Sequence, residues 1–145
     1  MKVVIQRVKE ARALEDTEVI SSINKGLLLL LCFEVGDLEE DFSTIVEKLC
    51  ALRIFDDQDG KMNLSVTDLN LDIMCISQFT LAWEGKKGNR PSFEKALEPM
   101  KAKIYYRLFL DELKKTGLNI QKGKFGAMLD LHIINNGPVT LHLNF

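Results

Sequence analysis

Gly26-Leu27-Leu28-Leu29-Leu30-Leu31-Cys32-Phe33 is the stretch on which the fold turns. It is far shorter than the roughly 20 apolar residues that a membrane-spanning helix needs. A continuous apolar run of this length suits a strand covered on both faces. On its N-terminal side, Val4, Gln6 and Val8 share one face of an opening strand, and Val3, Ile5 and Arg7 share the other. The polar stretch Glu15 to Glu18 turns the chain into a second short strand around Val19 and Ile20.

On the C-terminal side, Gly36-Asp37 stops the run. Asp37-Leu38-Glu39-Glu40 has the form of a capping box. Leu38, Phe42, Ile45, Val46, Leu49 and Leu52 follow at helical spacing, so the pattern predicts a helix from Leu38 to about Leu52. Arg53-Ile54-Phe55 reads as a short strand, Asp56 to Gly60 as a turn, and Leu71 to Phe79 as a central strand with Ile73, Cys75 and Ser77 on one face. Residues 82–91, with Gly85, Gly88 and Pro91, read as loop. Ser92 is placed to cap a second helical region, whose stripe is Ala102, Tyr106, Phe109, Leu110 and Leu113 and whose end is Gly117. Two strands at roughly 125–134 and 139–144 complete the chain, joined as a hairpin by Asn135-Asn136-Gly137-Pro138. Strands before, between and after two helices indicate an α+β fold with a mostly antiparallel sheet, in one domain spanning 1–145.

The chain has 145 residues, 46% of them hydrophobic and 28% charged, which is enough to bury a core without disulfides or metals. With 9 Gly and 3 Pro, disordered and fibrous classes fall away. The start, MKVVIQRVKE, alternates apolar and charged residues and does not read as a signal peptide. Cys32, Cys50 and Cys75 each have apolar neighbours and read as buried hydrophobes in a reducing, cytoplasmic compartment. The net charge of −2 conceals a division. Residues 84–125 hold 11 Lys+Arg against 5 Asp+Glu, and the remainder holds 8 against 16. A nucleic-acid partner would bind that basic segment, with an affinity that weakens as salt rises.

Several motifs fail. Asp57-Gln58-Asp59-Gly60 aligned as a calcium loop puts Phe55 at the first position and Val66 at the twelfth. Gly123-Lys124 is followed by Phe125 rather than Ser or Thr, and no Gly precedes Gly123 at P-loop spacing. Asn63-Leu64-Ser65 fits a glycosylation acceptor by chance. His132 and His142, read as neighbours across the last two strands, lack a third metal ligand, so no metal or cofactor is expected. The Gly-x-Ser-x-Gly nucleophile elbow is absent.

Two segments carry chemistry. Ser77-Gln78-Phe79-Thr80-Leu81 lies where a buried strand runs out into loop, where backbone N–H groups leave the sheet ladder. Free N–H groups at Phe79 and Thr80 would stabilise an oxyanion during ester cleavage; a strand exit with capping hydroxyls is the plainer alternative. In Gly137-Pro138-Val139-Thr140 the base rate for X–Pro bonds favours trans.

With these two signatures the chain resembles the D-aminoacyl-tRNA deacylases, also called D-tyrosyl-tRNA deacylases. The resemblance spans the whole chain. It includes Val4-Ile5-Gln6-Arg7-Val8, Leu52-Arg53-Ile54-Phe55, Gly60 to Val66, Lys86 to Phe93 and Phe125-Gly126-Ala127. The chain departs from the family pattern at Asn136, often Asp, at Leu129, commonly Met, and at Ala82-Trp83-Glu84 after the first signature.

The resemblance implies a curled, barrel-like sheet with two helical regions packed on it, working as a homodimer. It implies hydrolysis of the ester joining a D-amino acid, or mischarged glycine, to the 3′ end of tRNA. It assigns Ser77, Gln78, Phe79 and Thr80 to the catalytic segment. It also implies a cis Gly137-Pro138 bond that reaches from one subunit into the other's site and excludes L-amino acids. Phe125 and Leu129 would line the pocket of the terminal adenosine, or simply pack the core. Both would share one face of a strand. Lys86, Lys87 and Arg90 would contact the tRNA backbone, or form a merely solvated loop. Thr80 as nucleophile has no evident base. The alternative lets the terminal 2′-hydroxyl of the substrate help activate water. A non-catalytic RNA-binding module and a hydrolase of small D-amino-acid esters are the competing readings.

Overall fold

Strand β1 (Lys2–Glu15) is the backbone of the molecule, and everything else is placed by its two edges. The computed structural model describes residues 1–86 and 88–145. Along one edge β1 pairs antiparallel first with β3 (Gly26–Cys32), through Lys2 to Val8, and then with β2 (Glu18–Ile23), through Ala11 to Glu15. Its other edge pairs antiparallel with β8 (Asp130–Asn144) along nearly its whole length. Beyond β3, the sheet continues in parallel to β6 (Asp72–Ser77) and β7 (Ile120–Lys122). A small hairpin of β4 (Phe55–Asp56) and β5 (Met62–Leu64) stands apart. Strand β2 also touches β6 and β7, so the sheet curls back on itself.

The apolar run at 26–33 is a strand covered on both faces, as its composition requires. Leu27, Leu29 and Leu31 face α1 (Phe42–Cys50) and α2 (Pro99–Lys114), in a core with Val3, Ile5, Ile73, Leu49, Phe109 and Leu113. Phe33, Phe42, Tyr105 and Phe109 meet there with ring centroids 5.2–6.2 Å apart, each favourable edge contact adding about 0.5–1.5 kcal/mol to the burial. Leu28 faces the inside of the curl, with Val8, Ala11, Ala13, Ile23, Met74 and Ile76. The small Ala11 and Ala13 let the strands close at that point.

Four local expectations are corrected. Asp37 forms no capping box: its carboxylate accepts the Glu34 N–H at 2.7 Å and the Met1 ammonium at 2.6 Å. The chain instead enters α1 through a 3-10 turn at Glu39–Asp41, so Leu38 lies outside the helix and is exposed. Ser92 caps nothing either. Helix α2 starts at Pro99, and Glu98 caps it by accepting the N–H groups of Met100 and Lys101 at 3.0 and 3.1 Å. Residues ahead of it run alongside the segment that follows β3, with Leu97 N–H donating to the Phe33 carbonyl at 2.9 Å. The final hairpin does not exist. Both halves belong to the single strand β8, because each finds its partner in β1. His132 therefore sits opposite Arg12 and His142 opposite Val4, far apart along one strand rather than across two. Lastly, Phe125 occupies a turn and Leu129 precedes β8, so strand alternation does not relate them.

Candidate active site

Strand β6 delivers the first signature. Four buried residues, Ile73 to Ile76, anchor it, and Ser77 is its last strand residue, half-buried beside Leu31 of β3. The ladder's last bond there runs from Gln78 N–H to the Leu31 carbonyl at 2.6 Å. The chain then winds into a 3-10 turn, Phe79–Ala82, whose first internal bond is Leu81 N–H to Gln78 carbonyl at 3.2 Å. The N–H groups of Phe79 and Thr80 precede that bond, and no acceptor among the described residues takes either. They are the free pair that the strand exit predicts.

Among the described residues, the side chains around them offer no general base. Thr80 Oγ1 accepts a hydrogen bond from Gln78 Nε2 at 2.6 Å. Neither histidine is on this part of the sheet. Among the described residues no group of three His, Cys, Asp or Glu could hold a metal ion. Cys32 lies beneath the turn, its thiol directed at the Phe79 carbonyl at 3.4 Å. Burial, with a smaller push from Glu34, raises that thiol to about 11, so it stays protonated. Phe79 is 59% exposed yet held by Phe93, edge to face at 5.0 Å.

Phe125 and Leu129 flank the same strand end. Gly123 N–H donates to the Cys75 carbonyl at 3.0 Å, which ties their segment to β6. A Cβ built on Gly123 would come within 2.7 Å of Ile76 Cδ1 and 3.1 Å of Leu129 Cδ1, so Leu129 and the residue preceding Ser77 both close over Gly123. Phe125 is half-buried against Tyr106, rings 5.7 Å apart, and Tyr106 donates its hydroxyl to the Cys75 carbonyl at 2.6 Å. In the loop that follows, Lys86 pairs with Glu84 at 2.9 Å, and Lys95 also bonds Glu84. Those two ammonium partners hold the Glu84 carboxyl down at about 2. Arg90 is exposed, and Lys87 lies outside the described residues.

The second signature stands elsewhere. Gly137 and Pro138 are joined by a cis peptide bond and both are exposed. They ride on an excursion of β8: Thr140 pairs with Gln6 and Asn135 with Val8, so Asn136 to Val139 stand opposite Arg7 alone. Arg7 was no site candidate in the sequence, yet it supports this excursion from behind. It is 5% exposed, donates from Nε to the Asn136 carbonyl at 3.2 Å, and donates from an Nη to the Ile54 carbonyl at 2.6 Å. An Arg in an otherwise apolar strand face was the signal available.

The two signatures do not meet within one chain. Ser77 is level with Leu31 and Val3, whereas the excursion is level with Arg7, Leu27 and Ile73. Three strand spacings and four residues separate them, about 14 Å across the sheet and about 13 Å along it.

The family model described as D-Tyr-tRNA(Tyr) deacylase matches residues 4–144. A D-aminoacyl-tRNA deacylase of Aquifex aeolicus (strain VF5) is 49% identical over 141 residues, covering 97% of this chain and 95% of its own. A solved structure named c-Myc DNA Unwinding Element Binding Protein superposes with a TM-score of 0.94 at 41% identity, covering 100% of this chain and 99% of its own. Another, described as "Structural Analysis of a probable eukaryotic D-amino acid tRNA deacylase", gives 0.85 at 16% identity over 98% and 97%, a likeness of fold. With the match running from Val4 to Asn144, through both signatures, the chain belongs to the D-Tyr-tRNA(Tyr) deacylase family.

Proposed function

We propose that this protein hydrolyses the ester of D-aminoacyl-tRNA, and of mischarged glycyl-tRNA, in the cytoplasm. The observation that carries the chemistry is the pair of unbonded N–H groups at Phe79 and Thr80 on the rigid end of β6. Two such donors suit the oxyanion of an ester's tetrahedral intermediate. Among the described residues no base stands beside Thr80, and its hydroxyl already accepts from Gln78. That favours water attack assisted by the terminal 2′-hydroxyl over a threonine nucleophile. Ser77 and Gln78 then set the shape of the segment, Phe125 and Leu129 take the terminal adenosine, and Lys86, Lys87 and Arg90 face the tRNA.

The working form is a homodimer. The separation of the two signatures within one chain supports it, since a site containing both takes Gly137-Pro138 from a second copy. A backbone wall there rejects an L side chain, because it has no rotamer to swing away. Such a wall cannot reject glycine, which has nothing to exclude.

Parallel hydrolysis of D-tyrosyl-tRNA, L-tyrosyl-tRNA and a free D-tyrosine ester tests the reading. Turnover of the D-tRNA alone is expected. Equal rates on both tRNAs would remove chiral editing, inactivity on all three would favour a binding module, and cleavage of the free ester alone would remove the RNA partner. Thr80→Ala should keep most activity, and a terminal 2′-deoxy tRNA should lose it. Phe79→Pro deletes one oxyanion donor at a helix position that accepts proline, and should cost on the order of 10²-fold in kcat. Subunit mixing tests the dimeric site. In a Gly137→Trp and Phe79→Pro mixture, half the dimers are mixed and each has one intact site. About a quarter of wild-type activity should return, and none returns if each site is built from one chain.

A further inference from the structure

A concavity of about 710 Å³ lies between α2 and the β7–Phe125 segment rather than over the Ser77–Leu81 turn. We infer that this groove carries the phosphate chain of the substrate just upstream of its terminal nucleoside, an inference that rests on the deacylase reading. One wall is a single stripe of α2: Lys103, Arg107, Asp111 and Lys114 follow at helical spacing. Lys122 and Lys124 form the opposite wall. The floor is apolar, made by Ile20, Leu110 and Phe125.

The charges are unevenly committed. Lys114 pairs with Asp111 at 2.8 Å and Lys124 with Glu15 at 2.6 Å. Lys103, Arg107 and Lys122 are exposed and make no ion pair among the described residues. Asp111 is the stripe's one acid, and its pairing with Lys114 repeats that of Glu112 with Lys115 on the neighbouring stripe, while Lys103 and Arg107 ahead of it have no such partner among the described residues. Here cations line both sides of a concave apolar floor. A nucleotide chain has the matching chemistry: anionic phosphates for the walls, and riboses and bases for the floor. Lys103 and Arg107 stand about 6 Å apart along the helix axis and Lys114 about 10 Å further on, so the stripe can follow several successive phosphates.

The groove also opens at the right place. Phe125 lines it, and Gly123, in the same wall, is bonded to Cys75 two residues before Ser77. A chain whose terminal ester lies at the Phe79 and Thr80 N–H groups can therefore leave the site along α2. Among the described residues of the loop at 84–90, Lys86 is already engaged by Glu84.

The test is the triple variant Lys103→Ala, Arg107→Ala, Lys122→Ala, assayed on D-tyrosyl-tRNA and on D-tyrosyl-adenosine, which lacks the phosphates. On the tRNA, kcat/KM at low salt should fall at least tenfold. Its log–log dependence on salt should become shallower by about 2, for three lost contacts to a single strand. On the nucleoside ester, the rate should not change. An unchanged salt slope and kcat/KM on tRNA would overturn the inference, and so would an equal loss on both substrates. If the wild type cleaves neither substrate, the deacylase reading fails. The groove is then judged by filter binding of uncharged tRNA, where binding weakened in the triple variant sustains it and wild-type binding overturns it.

Discussion

Arg7→Met separates the support of the Gly137-Pro138 excursion from everything else in the molecule. Methionine keeps most of the aliphatic volume in a position that is 5% exposed, but removes every donor. The buried Ile54 carbonyl loses a charge-assisted bond of 2.6 Å and accepts from no other donor among the described residues, a cost of about 2 kcal/mol. The Asn136 carbonyl loses a longer bond, 3.2 Å, at a partly buried site that water can re-enter, a cost of about 1 kcal/mol. The contact with Asp56 at 3.4 Å adds little, because that carboxylate is half exposed. The total is about 3 kcal/mol, less part of the desolvation that burying a guanidinium had cost. A chain of this size should then melt roughly 5–10 °C lower. Urea midpoints with an unchanged m-value give the stability, and kcat/KM on D-tyrosyl-tRNA at a temperature where both proteins are folded gives the function. The function should fall further than the unfolded fraction explains, because the Asn136 carbonyl sits directly before Gly137. Arg7→Lys should not rescue it, since one ammonium cannot span both carbonyls. A stability loss under about 0.5 kcal/mol with unchanged kcat/KM would refute the reasoning.

Gly26→Ala should cost more than about 4 kcal/mol, because its Cβ would stand 2.0 Å from the Asp72 carbonyl oxygen in the paired backbone of β6; a urea midpoint near wild type would show that β3 and β6 can part. Gly137→Ala is the contrast: a Cβ there meets only Asn135 Nδ2 at 3.5 Å, so thermal stability should be unchanged while turnover of the D substrate falls, and undiminished turnover would put the selective wall elsewhere. The Glu84 carboxyl, held at about 2 by Lys95 and Lys86, should titrate by ¹³C NMR well below the ordinary glutamate range. Its pairing supports the loop above the unfolded value and is lost as pH falls towards 2; a midpoint above 4 would mean that the pair does not form. Cys32 and Cys50, buried and with thiols raised to about 11, should resist alkylation at neutral pH until urea unfolds the chain, and rapid native labelling would contradict their burial.

What was legible in the sequence was whatever depended on local pattern. The run at 26–33, the alternation of 3–8 and the stripe of α2 form where periodicity places them, and the central strand read at 71–79 forms as Asp72–Ser77, with Phe79 already in the 3-10 turn. What was not legible depended on a partner distant in sequence. Asp37 has an acceptable capping pattern, but its carboxylate is claimed by Met1 and the Glu34 amide, which only the folded sheet brings near. Asn135-Asn136-Gly137-Pro138 has turn composition, and a turn is the cheapest local use of it. The deciding fact is that β1 is long enough to pair on both sides of the excursion, so the chain bulges and continues instead of reversing. Arg7 escaped for the same reason: its partners, Ile54 and Asn136, lie 47 and 129 residues away.

The position of the excursion also limits how two copies could meet in the proposed homodimer. Gly137 lies midway along β8, on the far side of β1 from β6. Had two copies joined edge to edge through β8, as an unpaired strand invites, each Gly137 would face the partner's β8. The partner's β6 would then remain three further strands away, and neither copy would complete a site. Contact through the faces and strand ends avoids this. It is also where exposed apolar side chains stand in and just after the first signature, Phe79 at 59% and Trp83 at 43% exposure. A two-fold arrangement of that kind builds two sites at once, because whatever one copy's excursion touches on its partner, the partner's excursion touches in return. It predicts that charges introduced on the outer edge of β8 leave the dimer intact, while a charge at Phe79 or Trp83 weakens association and catalysis together. Analytical ultracentrifugation of an Ile134→Lys protein beside a Trp83→Lys protein separates the two geometries, and dissociation by the first alone would establish the edge-to-edge one.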